Sequence, residues 1–249
     1  MYRRLAEPIV GRRVQSFEVP IEAYLKGGLS SDVLSGLVGR TVQAVRRIGK
    51  LLLIDLDEAT LGLRFGMTGR LVIDGDAAID ELLYTTSRPD PVYRRFVLAL
   101  DTGSLEMMDP RRFGSVEIDP DEDRLGPDAL TIGAEDLARA LFGSKMALKA
   151  RLLDQHRVAG IGNLLGDEIL WRAELAPDRA AGSLSLNESE MLAATIRTTI
   201  EEMLEAGGSH MGALQDQRSP DGVCPTDGSP LRRASIGGRA TYWCPVHQR

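Results

Sequence analysis

Four residues near the end of this 249-residue chain have the types and the spacing to hold a metal ion: Cys224 and Asp227, then, after sixteen intervening residues, Cys244 and His247. Two thiolates, one carboxylate and one imidazole are all side chains that Zn²⁺ accepts in a tetrahedral site. The carboxylate is the hardest and least usual of them as a structural ligand. Between the pairs, residues 230–235 and 239–243 read as two strands, and Gly237-Gly238 supplies the positive φ that a tight turn between them requires. Such a turn would bring the two pairs together. The residues alone leave three outcomes open: a zinc hairpin, a hairpin of the same shape without metal, and a disulfide between the only two cysteines of the sequence.

A second candidate lies at Val158-Ala159-Gly160-Ile161-Gly162-Asn163. Glycines in a tight turn ahead of a helix let backbone N–H groups face outward, where the helix dipole favours a phosphate. A turn of this kind grips a nucleic-acid backbone without reading its sequence. Read alone, it is also an ordinary connection between helices. Asp167 and Glu168, expected in the first turn of the following helix, suit the dipole but would repel a phosphate that they faced.

Charge tells against a nucleic-acid partner only at first sight. The net charge is -6, yet residues 117–136 carry eight acidic residues against one arginine, and residues 218–249 carry five arginines against two aspartates. Acid is therefore concentrated in one stretch and base in the terminal hairpin. With 43% hydrophobic residues the chain has enough apolar surface for a sizeable core, and its length suits two domains. It shows no apolar run of transmembrane length and no signal-like h-region after Met1, which reads as an intracellular protein.

The elements that must position these residues divide into a β-rich front and a helical back. From residue 41 to about 118, short apolar runs recur between turn signals, among them Leu51-Leu52-Leu53-Ile54, Leu71-Val72-Ile73 and Phe96-Val97-Leu98, as in a sandwich. Residues 119–123, with Gly126-Pro127, read as a linker. Beyond it Leu148, Leu152 and Leu153 share one face of a helix over about 145–155, and another helix follows the glycine turn to about residue 174. Leu192, Ile196, Ile200 and Met203 stripe a third helix, which is expected to begin at Asn187 with Glu190 as its capping partner and to stop at Gly207-Gly208. The fold class is α+β, divided into residues 1–118, 119–215 and 216–249.

Motifs in order along almost the whole chain resemble the formamidopyrimidine-DNA glycosylase/endonuclease VIII family of base-excision repair enzymes. They are Tyr2-Arg3-Arg4, Gly49-Lys50-Leu51-Leu52, Gly66-Met67-Thr68-Gly69, Asp109-Pro110-Arg111-Arg112-Phe113-Gly114, Leu125-Gly126-Pro127, Leu153-Asp154-Gln155, Gly160-Ile161-Gly162-Asn163 and the terminal finger with Arg239. The resemblance implies an N-terminal β-sandwich, a helix-two-turn-helix domain and a zinc-finger-like hairpin. It also implies a monomeric partner of duplex DNA containing damaged bases or abasic sites, with no membrane involved, bound in a cleft between the domains. The activity implied is bifunctional, glycosylase and abasic-site lyase, on a base flipped out of the duplex.

Residue by residue, the resemblance implies that Met67, Arg111 and Phe113 fill the gap left by the extruded nucleotide, Arg111 hydrogen-bonding the orphaned base and Phe113 wedging the stack. Asn163, Arg239 and, in a supporting role, Lys50 would hold phosphates around the lesion. This set resembles the branch acting on oxidised purines. Val92-Tyr93-Arg94 occupies roughly the place of a histidine pair common in the family, and Asp227 and His247 stand where cysteines are usual. In the family a Pro-Glu-Leu-Pro-Glu-Val-Glu stretch precedes the residues matching Tyr2-Arg3-Arg4; its first proline is the nucleophile and its first glutamate the acid/base. Residues 1–249 hold no such stretch, so no catalytic residue is assigned, and the pair is expected ahead of Met1. Two other readings of the residues are a catalytically silent lesion-binding protein of the same fold and a zinc-hairpin interaction protein that never touches DNA.

Overall fold

Short aliphatic runs separated by glycine turns pair readily with their neighbours in sequence, and about half of the strand pairs in the two five-stranded sheets here are of that kind. The computed structural model describes residues 1–77 and 90–249. The chain forms two compact units, Met1–Glu122 and Asp123–Arg249. The first contains α1 (Tyr2–Ala6), β1 (Val14–Glu18), β2 (Leu25–Lys26), α2 (Ser31–Ser35), β3 (Val42–Ile48), β4 (Leu51–Leu56), β5 (Ala59–Arg64), β6 (Arg70–Ile73), β7 (Asp76–Ala77), β8 (Arg94–Leu100), β9 (Ser104–Met108) and β10 (Ser115–Ile118). Sheet order is β1-β8-β9-β6-β7 in one layer and β2-β10-β5-β4-β3 in the other. All pairs are antiparallel except β10 with β2.

Alternation fixes the register. Phe96, Leu98 and Leu100 of β8 join Leu105 and Met107 of β9 and Leu71 and Ile73 of β6 in one core with Leu52, Ile54, Leu61, Leu63 and Val116 of the opposite sheet. The expected sandwich is therefore present. Edge strands β1 and β2 lie outside the stretch expected to be β-rich; at five and two residues they carry too little alternation to stand out.

The second unit contains α3 (Ala134–Leu141), α4 (Leu148–Leu152), α5 (Asn163–Arg172), α6 (Leu186–Ala206), β11 (Arg232–Ile236) and β12 (Arg239–Trp243). Leu137 and Leu141 of α3, Leu148 and Leu152 of α4, Ile169 and Leu170 of α5, and Leu192 and Ile196 of α6 form its core. Three expectations change in detail. The helix expected over 145–155 is only α4, because Ala147 is extended and bridges Ala180 instead of starting a turn. Helix α6 begins at Leu186, and its capping box is Ser185 with Glu188, not Asn187 with Glu190. Ser185 wins because both halves of the box close on it, and such a cap contributes about 1 kcal/mol. Asp167 and Glu168 lie in the second turn of α5, not the first, and both are buried. Helix α6 does end at Gly207, whose φ of 110° is the left-handed cap that glycine takes without strain. Among the described residues no helix is long and apolar enough to cross a membrane.

Candidate nucleic-acid interface

In the first unit the three expected gap-filling side chains are exposed on two turns that are tied together from below. Met67 and Phe113 are each 52% exposed, which excludes a core role for either. The Arg111 guanidinium lies over the Phe113 ring, 4.6 Å from its centre, a cation–π contact that holds the two side chains together. Gly66 brings the turns together: its φ is 59°, and a Cβ there would lie 2.7 Å from the Phe113 backbone.

Beneath this surface Asp109 is wholly buried. Its Oδ1 accepts from the Thr68 hydroxyl at 2.6 Å, and its Oδ2 accepts from the Gly114 amide at 2.7 Å and from the Tyr24 hydroxyl at 3.3 Å. The Asp109 amide donates to the Tyr93 carbonyl, and its own carbonyl accepts from Arg95 Nε at 2.9 Å. One carboxylate thus fixes both the Met67 turn, through Thr68, and the loop 109–114, through Gly114. Burial and the Asp109 charge together push the Tyr24 hydroxyl above its ordinary range, so it stays a donor. The Tyr2 hydroxyl adds a hold on the same turn, donating to the Gly69 carbonyl at 3.0 Å. Lys50 is exposed on the turn between β3 and β4, where Gly49 takes φ 57°.

In the second unit Asn163 opens α5, with Gly162 extended before it. Arg239 opens β12 at the hairpin tip, exposed beside Gly237 and Gly238, whose φ values of 59° and 72° make the expected turn. Asn163 Nδ2 donates to the carbonyl of Ala240 at 3.2 Å, so one expected phosphate-binding residue is bonded to the neighbour of the other. Asp167 and Glu168 do not face outward. Asp167 pairs with Lys149 and Arg218, and Glu168 pairs with Arg172 and accepts from the amides of Ala213 and Leu214.

At the hairpin base three of the four expected metal ligands converge. Ligand atoms of Cys224, Asp227 and Cys244 all lie within 4.8 Å of one another, and both cysteines are free. Two N–H groups already point at the sulfurs: Trp171 Nε1 donates to Cys224 Sγ at 3.4 Å and the His247 amide to Cys244 Sγ at 3.3 Å. Such donors stabilise thiolates, so the set fits a thiophilic ion with three protein ligands. His247 is the exception. Its Nε2 lies 3.0 Å from the Trp171 carbonyl, and its ring sits tilted 5.9 Å from the Trp171 ring.

Residues 1–116 match the formamidopyrimidine-DNA glycosylase N-terminal domain and residues 125–214 the formamidopyrimidine-DNA glycosylase H2TH domain. The formamidopyrimidine-DNA glycosylase of Desulfitobacterium hafniense is 32% identical, over 99% of this chain and 96% of that protein. The chain belongs to the formamidopyrimidine-DNA glycosylase family. The namesake enzyme of Paracoccus denitrificans is 33% identical, again over 99% of this chain and 96% of its own length. Among solved structures, an Fpg variant of Lactococcus lactis in complex with DNA containing Fapy-dG superposes with a TM-score of 0.82 over 100% of this chain and 97% of that one; at 24% identity the likeness is one of fold.

Membership of this glycosylase family leaves several residues that sequence reasoning passed over. Asp109 and Thr68 lie inside motifs of the family resemblance that imply no role for them, and Tyr24, Lys149 and Arg218 lie outside those motifs. One signal was available for Lys149. It falls between Leu148 and Leu152, on the core-facing side of α4, where a charge is seldom buried unless it has a partner.

Proposed function

We propose that this chain is a DNA-repair glycosylase and abasic-site lyase that removes oxidised bases, oxidised purines above all, from duplex DNA by flipping them out of the helix. The observation that carries the reading is the exposed group Met67, Arg111 and Phe113 mounted on buried Asp109 in a chain of this family. Extruding a nucleotide costs a few kcal/mol of lost stacking and pairing. Phe113 and Met67 refill the stack with apolar surface, while the Arg111 donors meet the acceptors of the unpaired base. A large aromatic left half exposed gains little in water and a good deal between base pairs. Asn163, Arg239 and Lys50 hold phosphates, and duplex DNA with damaged bases or abasic sites is the partner, met by a monomer in the cytoplasm among the DNA of the nucleoid.

Binding to duplex DNA tests this directly. Affinity is expected to fall with salt at a slope of about -0.9 per neutralised phosphate. Arg239→Ala is expected to weaken damaged and undamaged duplexes about equally and to shallow that slope by about one phosphate, because a backbone contact carries no base information. Salt-independent binding, measured by fluorescence anisotropy, would count against the DNA reading.

The hairpin base holds zinc in this reading, through Cys224, Asp227 and Cys244, with the fourth position left to another donor. Zinc there supplies no step of the reaction; it fixes the loops that carry the two strands. About one zinc per chain is expected by elemental analysis, with loss in Cys224→Ser. A zinc-free preparation of full DNA affinity would favour the metal-free hairpin.

A further inference from the structure

Three charged side chains that the proposed reaction does not use meet inside the second unit. Lys149 of α4 is fully buried and Asp167 of α5 is 2% exposed, with Lys149 Nζ 2.6 Å from Asp167 Oδ1. Arg218 Nη1 donates to the other carboxylate oxygen. Burying such ions is costly, and apolar residues of like size would serve stability as well or better. The arrangement is therefore better understood from what it touches.

All of it is aimed at β12. Lys149 Nζ donates to the Thr241 hydroxyl at 2.7 Å and reaches the Ala240 carbonyl at 3.4 Å. Arg218 Nη2 donates to the Ala240 carbonyl at 3.2 Å, and its guanidinium lies 4.9 Å from the centre of the Tyr242 ring. The Tyr242 amide donates to Asp167 Oδ2 at 3.3 Å. The Ala240 carbonyl, which also accepts from Asn163, is thus a point where α4, α5 and the segment around Arg218 all grip the residue next to Arg239. At the turn, a Cβ on Gly237 would lie 2.9 Å from Ala150 Cβ, so the tip packs closely on α4. Trp171 and the Cys224, Asp227, Cys244 group act at the hairpin's other end.

We infer that Asp167, with Lys149 and Arg218, is a positioning device that locks the hairpin tip to the start of α5 and so fixes Arg239 at a set distance from Asn163. A carboxylate is required because two cations and an amide converge on it, a demand that neither an amide nor a hydroxyl meets. The device works apart from the metal end of the hairpin. Its consequence for DNA rests on reading Arg239 as a phosphate contact.

Hydrogen exchange and a double-mutant cycle on the 249-residue chain test it. In Asp167→Asn, and in Arg218→Gln should the first variant not fold, amides of residues 240–243 are expected to exchange faster while those of α6 keep their protection. Duplex affinity is expected to fall about tenfold, and the same substitution placed on Arg239→Ala to cost under about twofold more, since the two act through one contact. Arg218→Lys, which keeps the charge but not the forked grip on Asp167 and Ala240, is expected to lose affinity as Arg218→Gln does, though less. Unchanged protection at 240–243, or a full tenfold penalty persisting in the Arg239→Ala background, overturns the positioning role. Arg239→Ala binding at wild-type affinity strikes the phosphate reading alone, and the exchange result then decides for or against the positioning.

Discussion

A protein whose first residue is Met1 is expected to bind an abasic-site duplex and yet leave no covalent adduct after borohydride reduction. The same chain carrying Pro-Glu-Leu-Pro-Glu-Val-Glu ahead of residue 1, its initiator methionine removed, is expected to be trapped and to cut the strand. Trapping requires an amine that attacks the sugar C1′, so that an imine forms and hydride reduces it to a stable amine. Chemistry alone does not rule out the Met1 α-amine. Burial first, and then Arg4, Arg47 and Arg3, lower its pKa below the ordinary 8.0, which leaves more of it unprotonated at neutral pH. Position separates the two proteins, because a displacement of even 1 Å can cost about 10²-fold. Efficient trapping by the shorter protein would assign the nucleophile to Met1 or to a lysine such as Lys50.

Asp109→Ala is expected to remove about 3–5 kcal/mol from the stability of the first unit. It deletes a buried acceptor and strands three donors, the Thr68 and Tyr24 hydroxyls and the Gly114 amide. Each stranded donor costs about 1–3 kcal/mol, partly recovered as water enters. The two turns it joins then separate, so base flipping, read by 2-aminopurine fluorescence opposite or beside the lesion, is expected to fail even where the fold survives. Urea denaturation measures the first effect, with the two units' transitions fitted separately. A variant within about 1 kcal/mol of wild type that still flips its base would remove Asp109 from its place under the site.

What the sequence disclosed was local, and what it withheld depended on distant partners. Gly237-Gly238 announced the hairpin because positive φ at adjacent positions is a demand few other residues meet. The strands β4, β6 and β8 showed in their apolar runs. His247 misled because its spacing from Cys244 is that of a ligand, whereas its ring is claimed by the carbonyl of Trp171, 76 residues away in sequence. Asp167 looked like a first-turn charge suited to a helix dipole, while its partners Lys149 and Arg218 lie on segments that only folding brings near. Phe113 and Met67 are ordinary core residue types, and only the structure shows them exposed. The cap of α6 slipped by two residues because Ser185 and Asn187 both satisfy the local rule and Arg179, bridging to Glu188, selects one.

Release of the damaged base is the measurement that bears most directly on the proposed function. Duplexes carrying a single formamidopyrimidine or 8-oxoguanine lesion, with an undamaged control, would be incubated with the protein bearing the Pro-Glu stretch and with its Arg111→Ala counterpart. The expected result is a free lesion base and a cut strand from the damaged duplexes only, slowed at least about tenfold by Arg111→Ala, since the orphaned base is then left unpaired. Absence of base release from every lesion duplex, with DNA binding intact, would contradict the glycosylase reading and leave a protein that recognises damage without removing it.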